Sequence, residues 1–192
     1  MQHIGAFTLA FAAIAAAAPG LAPSSHVRRA DTNSFQVYAY GTGLGGLEMF
    51  TAGGDAYFGD YTQFNDSNAA PVIFTPQDGD DSVWIGAPNT TALATTPEWS
   101  NVTFTVPGTS SSDHNVAFFD SNSTTTGRQT SGFVFYGNFI LVQNPDDSSL
   151  ESLWYATASD IDGIYNLKWN QTGDDTDGKI LLNLRRTPPS NA

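Results

Sequence analysis

The chain of 192 residues contains no cysteine, which excludes disulfide staples, thiol catalysis and cysteine-ligated metals. Small secreted domains often rely on such staples, so this chain must hold itself together by burying apolar surface. Positive charge is scarce too. Only 7 Lys and Arg stand against 19 Asp and Glu, for a net charge of −12. A surface this acidic repels phosphates and has no basic stripe to displace their counterions, which argues against nucleic acid and anionic membranes as partners. Charged residues of either sign make up 14%, against the roughly 25% usual in soluble domains. Helical periodicity is missing as well: no stretch of about three turns keeps a 3.6-residue apolar spacing free of Gly or Pro.

Aromatic residues are plentiful, with 13 Phe, 7 Tyr and 4 Trp. They sit in short runs bounded by Gly, Pro, Asn and Asp: FQVYAY, LEMF, DAYFG, PVIF, SVWIGA, NVTFTV, NVAFFD, GFVFY, FILVQ, SLWYAT, GIYNLKW and KILLNLR. Val102, Phe104 and Val106 alternate with Asn101, Thr103 and Thr105, the pattern of a strand with one wet face. Asp78-Gly79 and Gly137-Asn138 are natural hairpin turns. These signals predict an all-β fold, a single-domain antiparallel β-sandwich or jelly roll of about 10–12 short strands. Residues 107–115 and 120–131, rich in Ser, Thr and Gly, read as long surface loops.

Residues 1–17 read as a signal peptide, because Ile4 to Ala18 is an apolar, alanine-rich run too short to span a bilayer. Residues 18–29 read as a possible propeptide ending at the dibasic pair Arg28-Arg29, with the β domain filling 30–192. Loss of that arm leaves 5 basic against 19 acidic residues, a net charge of −14. No second apolar stretch reaches spanning length, so no membrane span is expected. Five N-x-S/T sequons, at Asn65, Asn89, Asn101, Asn122 and Asn170, then predict an N-glycosylated product that is extracellular or in the cell wall.

Gly41-Thr42-Gly43-Leu44-Gly45-Gly46 follows FQVYAY and fits the G-x-G-x-x-G spacing of dinucleotide folds. That fingerprint works only when its last glycine opens a helix whose amides hold the pyrophosphate. Here Leu47 to Phe50 lead straight into another turn, Gly53-Gly54, which leaves no room for a helix. The glycines are expected to let a strand turn or bulge.

Catalytic candidates are few. His114 is the only histidine beyond the leader and arm, in a Ser-rich stretch where a loop role is expected. Glu48, inside an apolar strand, is the best acid for a glycosidase of the paired-carboxylate kind, because burial would raise its pKa. Trp99, with Glu98 beside it, is the ring most open to stacking on a sugar, since Pro97-Glu98-Trp99-Ser100 resembles a loop or strand edge. Calcium is the cation that Asp160 and Asp162, or Asp175 and Asp177, would take, although Asp-Gly is also ordinary turn chemistry. No other cofactor is indicated.

With GLEMFTAGGDAYFGD, WIGAPNTTALATTPEWSNVTF and LWYATASDIDGIYNLKWN in place, residues 35 to 190 resemble cysteine-free small secreted proteins of filamentous fungi, which are largely uncharacterised. That resemblance implies source and compartment and carries over no catalytic residue. The resulting expectation is a secreted, non-catalytic β protein that binds glycan or an extracellular protein. Its alternatives are a carbohydrate-active hydrolase with paired carboxylates, and a structural wall component or host-directed effector.

Overall fold

Alternating runs become strands, and their Gly and Asp boundaries become turns, in the computed structural model, which describes residues 34–190. The expected leader and the arm through Arg29 lie outside the described residues. The strands are β1 Tyr38–Gly41, β2 Leu44–Thr51, β3 Ala56–Phe58, β4 Ala70–Gln77, β5 Asp80–Pro88, β6 Val102–Pro107 and β7 Ala117–Phe119. They continue with β8 Arg128–Gln129, β9 Phe133–Tyr136, β10 Phe139–Gln143, β11 Leu150–Glu151, β12 Tyr155–Ala158, β13 Tyr165–Lys168 and β14 Ile180–Arg185. Among the described residues the only helical piece is a 3-10 turn at Tyr61–Gln63, capped by Asp60. No helix there is long and apolar enough to cross a membrane. The fold is all-β and antiparallel, as expected. The fourteen strands among the described residues exceed the expected count partly through β8 and β11, two residues each and too short to leave a pattern. One of these, β8, pairs with the end of β6 inside the stretch expected to be loop.

The first hairpin shows how glycine sets register. Gly43 turns the chain at φ 78°. Ala39 then pairs with Leu47 while Tyr40 pairs with Gly45, so Gly46, at φ 94°, is the extra residue of a bulge. No helix starts there; β2 runs on to Thr51. The glycines re-aim a strand, as anticipated.

Pairing closes on itself. β1 pairs with β2, β2 with β3, β3 with β13, β13 with β12, β12 with β14, and β14 with β1 again. A second run, β4 to β7, leaves β2 and folds over this circuit. Residues 114–118 tie the two together by running between β3 and β13. Ala56 N donates to Val116 O at 2.9 Å, Val116 N to Leu167 O at 3.1 Å, and Trp169 N to His114 O at 2.9 Å.

Arg128 of β8 locks this seam. Its Nε donates to Thr105 Oγ1 at 2.7 Å, its Nη2 to Asn115 O at 2.5 Å and its Nη1 to Asp113 Oδ2 at 3.1 Å, while the guanidinium lies 5.1 Å from the Phe119 ring centroid. Its side chain is 9% exposed. Beside it, Lys168 Nζ donates to Asn115 Oδ1, and Asn115 Nδ2 to Asp55 Oδ2 at 3.5 Å. Burial, then the Asp113 charge, raise the Asp55 carboxyl, and Lys168 and Arg128 pull it back.

The core is aromatic and lies between the β4–β5–β6 layer and the layer containing β9, β10, β14 and β12. Trp84 of β5 is its hub, with ring centroids 4.8 Å from Phe35, 5.2 Å from Phe133 and 5.1 Å from Phe135. Phe104 of β6 reaches Phe133 at 4.9 Å. Indole N–H groups are paired where buried: Trp154 Nε1 donates to Ile140 O at 2.9 Å. Each fully buried Phe or Leu contributes about 1.5–3 kcal/mol relative to an exposed one, which is how the chain does without sulfur bridges.

Candidate functional site

Cross-strand register brings five outward side chains into one row. Tyr136 of β9 lies opposite Phe139 of β10, Phe139 opposite Arg185 of β14, Arg185 opposite Tyr38 of β1, and Tyr38 opposite Glu48 of β2. Directly opposed residues of antiparallel strands share a face. At about 4.8 Å per strand the row is roughly 19 Å long. Local sequence explains the orientation: in β14, Leu182 and Leu184 point inward, so Asn183 and Arg185 point out.

One end of the row is apolar and open. Tyr136 is 70% exposed and Phe139 37%. In the middle, the Arg185 guanidinium is held between two rings, 4.5 Å from the Phe139 centroid and 4.9 Å from that of Tyr40. Tyr40 is itself fixed, because its hydroxyl donates to Thr187 O at 2.9 Å. Gly46 lets this ring lie flat on the hairpin, since a Cβ there would meet Tyr40 Oη at 2.9 Å. Next to Arg185 is a cleft of about 360 Å³ bordered by Tyr40, Asn138, Thr187 and the Pro188-Pro189 pair.

The far end is polar. Gln36 Nε2 donates to Glu48 Oε1, and the Tyr38 hydroxyl donates to Gln36 Oε1 at 3.3 Å. Burial raises the Glu48 carboxyl above the ordinary glutamate range, and no second carboxylate contributes to that shift. Burial, followed by the Glu48 and Tyr40 charges, likewise raises the Tyr38 phenol. The sign of the pH effect follows from the Glu48 shift. The folded chain holds that proton more tightly than the unfolded one, so the contribution is fully present below the ordinary glutamate pKa and is lost as pH rises through the raised value. Relative to Glu48→Gln, the wild type should therefore lose stability as pH rises above the ordinary glutamate range, read in urea titrations at a series of pH values. A difference that stays flat across that series would refute the assignment.

No family model, curated protein or solved structure matches the chain.

Of the residues singled out in the sequence, Glu48 alone joins the row. Trp99 is 7% exposed, packs against Gly53 and donates from Nε1 to Asn68 O at 2.7 Å. It is a core ring, not the exposed platform expected, because a loop that finds a partner for its indole N–H can bury the whole ring. Glu98 is exposed beside it, with its backbone N–H on Asn68 Oδ1. Asp160 and Asp162 lie in the turn before β13, and Asp175 and Asp177 in the loop after it, at opposite ends of one strand. Among the described residues no three His, Asp or Glu side chains converge as ligands for a cation. Asp174, next to the second pair, has its carboxylate pulled well below the usual range by the Thr176 hydroxyl and then the Tyr155 phenol. His114 is a loop residue anchored through Nδ1 to Trp169 O at 3.0 Å. The sequon residues Asn65, Asn101 and Asn122 are exposed, and Asn89 and Asn170 are partly so. Asn65, Asn101 and Asn170 adopt left-handed φ values of 51°, 53° and 67°, as turn asparagines do.

Arg185 and Phe139 escaped the sequence reading. The alternation of Ile180 to Arg185 already points Arg185 outward, but only long-range pairing says which rings flank it.

Proposed function

We propose that this is a secreted, N-glycosylated, non-catalytic β protein of the cell wall or extracellular space. Its partner is a glycan, bound on the outer face of β9, β10, β14, β1 and β2. The row Tyr136–Phe139–Arg185–Tyr38–Glu48 carries this reading. Pyranose rings stack on aromatic faces, while a guanidinium, a phenol and a carboxyl supply the polar contacts that orient hydroxyls. A row of roughly 19 Å is long enough for several sugar units in extended form. All five sequons fall on other elements: between β3 and β4, after β5, before β6, between β7 and β8, and between β13 and β14. Glycans attached there leave the row clear.

The test is a glycan array with and without calcium, followed by titration of the best hit. Replacing both Tyr136 and Phe139 with alanine should weaken binding about tenfold, the worth of one or two stacked rings. Silence on the array, or an unchanged affinity in the double variant, would remove the reading. The hydrolase alternative has one observation in its favour, the half-buried Glu48 with its raised pKa at the end of the row. Chain shortening of the bound polysaccharide, abolished in Glu48→Gln, would favour that alternative.

A further inference from the structure

Among the described residues Arg185 has no carboxylate. The single ion pair found there is Arg128 with Asp113. Arg185 is opposed instead by two rings, Nε is buried without a hydrogen-bond partner, and the guanidinium borders the cleft beside Tyr40. None of the eight residues lining that cleft is Asp or Glu, in a chain that has 19 of them. A fork of N–H donors held rigid by stacking and facing an acid-free cleft matches a planar carboxylate, which it can grip at two oxygens. The cleft volume of about 360 Å³ lies at the small end of ligand sites and suits one monosaccharide unit.

Resting on the glycan reading, we infer that the face takes an acidic glycan, with a uronate carboxylate seated on Arg185 and neighbouring sugars stacked over Phe139 and Tyr136. The chain's net negative charge does not prevent this. At physiological salt, charges beyond about 8 Å are screened, so the local guanidinium decides.

Isotope-labelled protein is titrated with trigalacturonate, with cellotriose as its neutral counterpart and with a short Glu-rich peptide. Trigalacturonate should bind at least about tenfold tighter than cellotriose and shift the amides of Tyr40, Asn138 and Thr187. Arg185→Gln should erase that preference, weakening trigalacturonate binding far more than cellotriose binding, and Arg185→Lys should restore only part of it, because a point charge lacks the fork. Equal binding of the two sugars, unaltered by Arg185→Gln, overturns the uronate inference and leaves the glycan reading standing. Binding of the peptide alone, or of neither sugar, overturns both. A folded spectrum for each variant separates lost binding from lost structure.

Discussion

Replacing Trp84 with alanine is expected to remove about 3–5 kcal/mol of folding stability. The ring is 1% exposed and touches Phe35, Phe74, Phe104, Phe133 and Phe135. Those partners come from both layers and from the chain before β1, so nothing nearby can move in to fill the space. The indole N–H also reaches Asp81 O at 3.2 Å. Such a loss is a large part of the 5–15 kcal/mol typical of a domain, and no disulfide is present to soften it. Trp84→Phe keeps most of the volume and should cost under half as much. Urea unfolding followed by far-ultraviolet circular dichroism measures both. A Trp84→Ala variant within about 1 kcal/mol of the wild type would show that the core can collapse around the gap.

The second large effect is at Arg128. Arg128→Ala should destabilise by about 3 kcal/mol, because it strips donors from Asn115 O and Thr105 Oγ1 at a buried seam and uncovers the Phe119 ring. Thr105 Oγ1 keeps its bond to Ala117 O, so the Asn115 carbonyl is the group most exposed to this loss. Arg128→Lys should recover little, since one ammonium cannot replace a fork reaching three partners. Hydrogen exchange adds a local signature: the amides of Ala56, Val116 and Trp169, all bonded across the seam, should lose protection before those of β4 and β5. A lysine variant as stable as the wild type would mean that the charge matters and the geometry does not.

Strand identity was legible where alternation and turn residues agreed, as in β4, β5, β6 and both halves of the Gly137-Asn138 hairpin. The bulge at Gly46 was legible too, because glycine without a following helix has few other uses. The seam was not. Asp113, Asn115 and Arg128 sit in Ser- and Thr-rich stretches without period, and their meeting depends on where β6 ends. Trp99 misled for a related reason: its neighbours are polar, but Asn68, thirty-one residues earlier, satisfies the indole. The row on the outer face needed register between β10, β14, β1 and β2, a non-local property that no single window contains.

Tyr38 opens β1 directly across from Arg185, which closes β14. The two ends of this ladder therefore leave side by side, and tension applied through them, once the Phe35–Phe74 bridge and the Arg186–Asn138 bond give way, parts the four β1–β14 rungs in succession, as a zipper opens, instead of shearing them together. Stretched between its ends, the molecule should yield at low force from that hairline. Pulled so that the same ladder is loaded along its length, it should hold far longer.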